Sequence, residues 1–354
     1  MIYLVRVSLD IKDKRPAESM RFQAAVETIS GLLRRGYRVV IMSHFGRPTK
    51  PDNKLSLRRF LKPLEKKLRQ PVVFLPKLNF KKIREVIKSS PNTNIFLLEN
   101  LRFSSKEEKN DAFFAKQLAS LGDRYINDDF ATSHRKEASL VAITKFLPSV
   151  PGPTLLKEVT SLKEAVTKPR KPFTLIIGGA KIKDKIGVIH NLLNKANNVL
   201  LGGGAANTFL KASGVDIKSS LYDPEMIWVV VKLINNKKII IPSDSCWDGN
   251  KILDIGPKTI SKYKEIIKKS GTVIWGGPIG YFEDKHFARG SYEIARAIAS
   301  SRAFSVVGGA ETGEIVTRLK LQHKIDLLST GGGAMLAFLA HKELPGLKAL
   351  KIRY

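Results

Sequence analysis

Seven times along this chain a short run of branched apolar residues ends in a glycine or polar turn and gives way to a segment of helical period. The runs are Val39–Met42, Asn94–Leu98, Thr174–Ile177, Val199–Leu201, Val273–Trp275, Ser305–Val307 and Ile325–Leu328. Ser43-His44-Phe45-Gly46-Arg47-Pro48 follows the first and Glu99-Asn100-Leu101-Arg102-Phe103 the second. After the others come Gly178-Gly179, Gly202-Gly203-Gly204, Gly276-Gly277-Pro278, Gly308-Gly309 and, behind Ser329-Thr330, Gly331-Gly332-Gly333. Apolar runs without polar alternation are buried on both faces, and alternating with helices they make parallel sheets covered on both sides. The fold class is therefore α/β, with ligands expected at the carboxyl ends of the strands, where these turns lie.

A length of 354 residues accommodates two such domains, at roughly 150 residues apiece. Pro148-Ser149-Val150-Pro151-Gly152-Pro153 is expected to interrupt any regular element, and a helical pattern, Leu155–Val166, starts directly after it. We place one domain at 1–150, a second at 151–335, and a tail at 336–354 expected to fold back on the first. No apolar run approaches the ~18 residues of a membrane span. A strand-like segment, Ile2–Leu9, stands where a secretory signal would be, so a soluble cytoplasmic protein is expected. The single cysteine, Cys246, excludes an internal disulfide and a zinc cage of paired thiolates.

Lys and Arg number 61 against 32 Asp and Glu, a formal net charge of +29. The surplus is shared about equally between the halves, with no basic arm of the kind that binds nucleic acid. Two readings of it stand: a general attraction for polyanions, or ligands that are small, highly charged anions. Lysines such as Lys66, Lys67, Lys237 and Lys238 read as solvated surface.

The glycine turns match neither G-x-x-x-x-G-K-[ST] nor G-x-G-x-x-G. A glycine nevertheless lets the backbone approach a phosphate, and the N–H groups of a following helix then point at it. One such turn by itself reads as a strand end; five in one half point to an extended anion such as a nucleotide. In Gly178-Gly179-Ala180-Lys181-Ile182-Lys183-Asp184-Lys185 the lysines 181 and 185 would share a face if the helix starts early. The first half offers Arg21, His44, Arg47, Arg102 and Arg135, four of them guanidinium forks suited to carboxylate and phosphate. No Ser-His-Asp set and no H-E-x-x-H motif appears. Phosphoryl transfer between anions needs neither, because positioning and charge neutralisation carry the catalysis.

Ser43-His44-Phe45-Gly46-Arg47-Pro48, Leu98-Glu99-Asn100-Leu101-Arg102-Phe103 and Tyr125-Ile126-Asn127-Asp128-Asp129-Phe130-Ala131-Thr132-Ser133-His134-Arg135 resemble motifs of the phosphoglycerate kinase family. So do Gly178-Gly179-Ala180-Lys181, Asp254-Ile255-Gly256-Pro257, Trp275-Gly276-Gly277-Pro278-Ile279-Gly280-Tyr281-Phe282-Glu283 and Ser329-Thr330-Gly331-Gly332-Gly333-Ala334. The matches run in order as far as Leu344-Pro345-Gly346 and cover essentially the whole chain. The resemblance implies two Rossmann-like, doubly wound parallel-sheet domains joined by a hinge. It also implies reversible phosphoryl transfer between 1,3-bisphosphoglycerate with ADP and 3-phosphoglycerate with Mg-ATP, by a monomer with no membrane or specific nucleic-acid partner. Carried over by position, Ser8, Asp10, Arg21, His44, Phe45, Gly46, Arg47, Arg102 and Arg135 would bind the phosphoglycerate. Gly179, Lys181, Lys185, Gly203, Gly204, Pro278, Glu283, Gly309, Ala310, Glu311 and Thr312 would bind the nucleotide, with Glu311 on Mg²⁺. Arg21, Lys181, Gly331 and Gly332 would meet the phosphoryl group in transit.

Three departures from the family pattern touch these positions. Val-Asp-Phe-Asn-x-Pro is replaced by Val7-Ser8-Leu9-Asp10-Ile11-Lys12, which puts a carboxylate, Asp10, beside an anionic substrate. Trp-Asn-Gly-Pro has become Trp275-Gly276-Gly277-Pro278, and Gly-Gly-Gly-Asp-Thr has become Gly308-Gly309-Ala310-Glu311-Thr312. These leave open a catalytically impaired relative with a re-tuned acceptor, or one that binds polyanions or nucleic acid through its basic surface.

Overall fold

The computed structural model describes residues 1–11, 15–90 and 94–354; Lys12, the last residue of the altered first motif, lies outside them. The chain divides into two units, Met1–Val159 with Glu343–Tyr354, and Thr160–Lys342.

The first unit is built on strands β1 (Ile2–Arg6), β2 (Arg38–Met42), β3 (Val73–Leu75), β4 (Ile95–Leu98), β5 (Arg124–Asn127) and β6 (Ser149–Pro151). They form one sheet in the order β3-β4-β2-β1-β5-β6, every pair parallel. Successive side chains of a strand point to opposite faces, and the apolar runs supply both. Val40, Met42, Phe96 and Leu98 meet Phe80, Ile83, Phe114 and Leu118 from the helices Phe80–Ser89 and Ala112–Ala119. Val39, Ile41, Ile95 and Leu97 meet Phe22 and Ile29 of the helix Met20–Leu33 and Leu64 of the helix Leu61–Leu68. Each of these large side chains contributes roughly 1.5–3 kcal/mol by leaving water.

In the second unit β7 (Phe173–Ile177), β8 (Asn198–Leu201), β9 (Ile239–Ile240), β12 (Thr272–Gly276), β13 (Phe304–Gly308) and β14 (Leu327–Ser329) form a sheet. Its order is β14-β13-β12-β7-β8-β9, again all parallel. A two-stranded antiparallel ribbon, β10 (Ser245–Asp248) with β11 (Lys251–Ile255), stands apart. The strand order turns back at β7, so the crevice beyond the carboxyl ends of β7 and β12 is the topological switch point of a doubly wound sheet.

Several expectations need correction. The Pro148–Pro153 stretch is not featureless: Ser149–Pro151 pairs with Tyr125–Asn127 as the edge strand β6, a position where proline is tolerated because only one side is bonded. Pro153 then opens the helix Pro153–Thr167, its missing N–H costing nothing in the first turn. The division between units falls inside that helix, and only Glu343–Tyr354 of the tail groups with the first unit, tied by Gly346 N–H to Ser133 O at 2.9 Å. Residues 336–342 stay with the second unit, where Asn191 Nδ2 donates to Leu339 O at 2.6 Å. Helix Ile186–Leu192 begins after the lysine pair, so Lys181 and Lys185 share a turn rather than a helical face.

The switch-point loops approach backbone to backbone. Gly178 N–H donates to Gly276 O at 3.0 Å and Gly179 N–H to Pro278 O at 2.6 Å. A Cβ on Gly178 would lie 2.1 Å from Pro278 O. Gly178→Ala should therefore lose more than about 2 kcal/mol of stability in urea unfolding. Gly313→Ala is the control: a Cβ there meets nothing within 4 Å inside the helix Ala310–Arg318, and up to ~1 kcal/mol should be gained.

Candidate functional sites

Parallel register sets the first site. It pairs Arg6, the last residue of β1, with Met42 and with Asn127, so the segments after β1, β2 and β5 leave the sheet side by side. Arg6 is wholly buried. Its Nη1 donates to Val7 O at 2.8 Å and forms an ion pair with Asp129 Oδ2 at 2.8 Å, its Nε donates to Ser139 Oγ at 3.0 Å, and its Nη2 lies 2.8 Å from His44 Nδ1 and 3.7 Å from Glu137 Oε2. Ser139 Oγ donates in turn to Glu107 Oε1 at 2.5 Å. None of Arg6, Glu107, Asp129, Glu137 or Ser139 belongs to the residues expected from sequence. The available signal was one guanidinium in an otherwise apolar strand, since a charge is almost never fully buried without a partner.

Around this network lie the expected residues. His44 is buried, with Nε2 3.8 Å from Asp10 Oδ2. Burial first, then the positive charges of Arg6, Arg102, Arg135 and Arg21, hold its imidazole well below the ordinary histidine range, so it is neutral and the contact with Asp10 is not an ion pair. Asp10 Oδ1 accepts from Gly46 N–H at 2.9 Å, and Asp10 O accepts from Arg21 Nη1 at 2.9 Å. Arg102, nearly buried, donates from Nη1 to Gly46 O at 2.8 Å and from Nη2 to Glu137 Oε1 at 2.5 Å. Arg135 Nη1 lies 4.0 Å from Glu137 Oε1, and burial followed by Arg102 lowers its pKa. Arg47 is exposed. Phe45 is a core residue, its ring 6.0 Å from that of Phe60, and it presents only its carbonyl, which accepts from Asn100 Nδ2 at 2.8 Å. Ser8 Oγ, Arg102 Nε and Arg135 Nε are buried with no hydrogen-bond partner among the described residues. Unmet donors in such a place cost free energy that a seated anion would return.

In the second unit the register aligns Ile177 with Gly276 and Leu201, and Gly276 with Gly308. The turns after β7, β8, β12, β13 and β14 thus form one row along the carboxyl edge. Lys185 Nζ reaches back to Lys181 O at 3.4 Å and lies against Gly179, where a Cβ would be 2.9 Å from it. Burial lowers its pKa, while Glu311 and Asp184 counter. Lys181 is exposed, and Lys183 is taken up by Glu225 Oε2 at 2.6 Å. Gly203 and Gly204 open the helix Gly203–Ala212. Gly309, at φ 113°, stands before the helix Ala310–Arg318, with Ala310 and Glu311 exposed in its first turn. Thr312 is buried and its hydroxyl donates to Gly308 O at 2.7 Å, so its side chain ties the turn together. Gly331 N–H is likewise engaged, with Ser329 Oγ at 3.0 Å, and Gly332 takes φ 45°, ψ −109°. Pro278 is buried in the switch-point contact and Glu283 is exposed beyond it. Sequence reasoning missed a narrow cleft lined by Gly203, Ala206, Asn207, Leu210, Leu253 and Ile279. Its wall comes from the helix Gly203–Ala212, from the ribbon with Asp254 and Ile255, and from Ile279 after β12.

Two doubly wound sheets, each with an anion-ready carboxyl edge, define a two-domain α/β protein of the nucleotide- and phosphate-handling kind. The family model for phosphoglycerate kinase matches residues 3–342. Phosphoglycerate kinases of Herpetosiphon aurantiacus and Dictyoglomus turgidum are 38% and 39% identical to this chain, across 98% of it and 95% of each relative. Among solved structures, phosphoglycerate kinase from Pyrococcus horikoshii OT3 superposes with a TM-score of 0.88 at 31% identity, and that from Coxiella burnetii with 0.84 at 32%; each comparison covers 99% of this chain and 96% of the other. The chain belongs to the phosphoglycerate kinase family.

Burial, with Glu137 alongside, pushes Glu107 from 4.5 up to about 7 against the pull of Arg6 and Ser139. Between those values the folded state holds a proton that the unfolded chain has lost, so this group's contribution to stability falls as pH rises. At about 1.4 kcal/mol per unit the fall is at most about 3.5 kcal/mol. Glu107→Gln, which keeps an acceptor for Ser139, should flatten that slope in urea unfolding between about pH 5 and 7; equal slopes in the two proteins would refute it.

Proposed function

We propose that this chain catalyses reversible phosphoryl transfer between 1,3-bisphosphoglycerate with ADP and 3-phosphoglycerate with Mg-ATP, the acceptor in the ATP-consuming direction being a carboxylate. Beyond family membership, one observation carries the reading. Buried hydrogen-bond donors without acceptors, on Ser8, Arg102 and Arg135, sit among the arginines of the first unit. An anion of carboxylate and phosphate groups supplies the acceptors they lack.

In this reading Arg47, Arg102 and Arg135 hold the phosphoglycerate through charge-assisted bonds, and Ser8 Oγ takes a hydroxyl. Asp10 is tolerated there because one of its oxygens is already committed to Gly46 N–H and Arg21 stands on its carbonyl. Arg21 and Lys181 neutralise the phosphoryl group in flight. No side-chain base is required, as the attacking oxygen is already ionised. Lys185 and the turns at Gly179, Gly203 and Gly309 suit nucleotide phosphates.

Among the described residues no three His, Cys, Asp or Glu gather as a metal cage. Glu311 offers one exposed oxygen donor, which fits a Mg²⁺ that keeps its waters and rides on nucleotide phosphates. Bound there, the ion would supply neutralisation of the phosphate charge. A hinge belongs to the proposal, because direct transfer needs donor and acceptor oxygens in line. So does a cytoplasmic monomer: Cys246 is free, as suits a reducing compartment, and among the described residues no helix is long and apolar enough to cross a membrane.

A coupled assay with 3-phosphoglycerate and Mg-ATP tests this directly. Wild type should turn over, and Lys181→Ala or Arg21→Ala should each lower kcat by about 10²–10³, the scale for removing a preorganised charge from the transition state. Wild type inert with both Mg²⁺ and Mn²⁺ would sink the proposal.

A further inference from the structure

The geometry assigns Arg6 as a positioning residue that fixes the proton of His44 on Nε2 and so presents that nitrogen as a hydrogen-bond donor to the bound anion. The role of His44 toward phosphoglycerate rests on the function proposed above; the placement of its proton does not.

A guanidinium has five N–H donors, no acceptor, and a charge it does not lose in proteins. Arg6 Nη2 lies 2.8 Å from His44 Nδ1, a distance that demands a lone pair on the ring nitrogen. Nδ1 is therefore unprotonated, and a neutral ring carries its proton on Nε2. Arg6 cannot swing away to let Nδ1 take a proton. Asp129 Oδ2, Val7 O and Ser139 Oγ hold its other nitrogens at 2.8, 2.8 and 3.0 Å, and Glu137 flanks it at 3.7 Å. Every charged group packed near the ring enters the balance. Arg6 and Asp10 come from β1 and the segment after it, Arg21 from the helix Met20–Leu33, Arg102 from the turn after β4 and Arg135 from the segment after β5. Four are cations and disfavour an imidazolium; Asp129 and Glu137 are taken up by those arginines, and Asp10, 3.8 Å from Nε2, spends Oδ1 on Gly46 N–H. Among the described residues Nε2–H thus has no acceptor at hydrogen-bond distance, and an anion reaching the arginines would meet a neutral donor rather than another positive charge. Such a donor keeps its strength across the pH range in which an ordinary histidine switches.

The test is ¹⁵N NMR of the full chain labelled at its histidines, with His44 assigned by the signal lost in His44→Gln. Wild type should show a pyridine-type Nδ1 and a pyrrole-type Nε2 that do not titrate between about pH 5 and 8. A protonated Nδ1, or an imidazolium forming near the ordinary pKa, overturns the assignment. Arg6→Lys keeps a charge but loses the fork; its His44 should begin to titrate in that range, and KM for 3-phosphoglycerate should rise about tenfold with kcat changed much less. A ring that stays locked in a folded Arg6→Lys variant also overturns it. Should that variant fail to fold, the wild-type spectrum still decides. Adding 3-phosphoglycerate should shift the Nε2 signal; no shift in an enzyme that turns over overturns the donor role. Absence of turnover sinks the proposed function and leaves the proton placement standing on the spectrum.

Discussion

Parallel pairing is the constraint on which the rest depends. It sends the carboxyl ends of six strands to one edge of each sheet and leaves every following turn on that edge. Residues far apart in sequence then meet without any contact chosen between them: Arg6, His44 and Asp129 converge because Arg6, Met42 and Asn127 share a register row. Gly178, Gly202, Gly277 and Gly309 line up in the same way behind Ile177, Leu201, Gly276 and Gly308. Much of each unit's chemistry thus lies in the segments that follow its strands.

What makes such an edge stable differs between the units. In the second, the turns are packed so closely that a side chain at Gly178 would collide with the carbonyl of Pro278, and the structure is held by backbone bonds across the switch point. In the first, the same crowding is electrostatic. Asp129 and Glu137 compensate a guanidinium from which water is excluded, and Glu107 joins through Ser139. A buried pair of this sort is a weak source of net stability, but removing one partner leaves an uncompensated charge at a cost of about 3–5 kcal/mol. The cluster therefore fixes geometry more than it adds stability, and the residues whose geometry it fixes are His44 and Arg102.

The sequence was most legible where backbone and periodicity decide. Runs such as Val39–Met42 and Ser305–Val307 became buried strands, and the arginines at 47, 102 and 135 lie beyond strand ends as their spacing implied. It was least legible where a tertiary partner overrides the local signal. Ser149–Pro151 is a strand only because Tyr125–Asn127 offers it an edge, and no property of a Pro-rich stretch announces that. Phe45 and Thr312 stood among the binding residues, yet one is packed on Phe60 and the other spends its hydroxyl on Gly308. Arg6 was passed over for the converse reason, since its partners lie more than 100 residues away at Asp129, Glu137 and Ser139, and sequence spacing carries no trace of them. Lys183 resembled its neighbours Lys181 and Lys185 until Glu225 claimed it.

One of the three departures, a carboxylate at position 10, is built into the local network. An ionised Asp10 beside an anionic ligand repels it in proportion to the charge left free. Here Oδ1 is bonded to Gly46 N–H, and Gly46 O in turn accepts from Arg102 Nη1 at 2.8 Å. Both sides of that one glycine are thus tied, one to the new negative charge and one to a cation of the anion site. Arg21 sits on the carbonyl of the same aspartate. The carboxylate is held within a local balance of charge and helps to set the loop from which His44 and Arg47 project. Under the proposed function, the change of charge at position 10 is thereby turned into a change of scaffold.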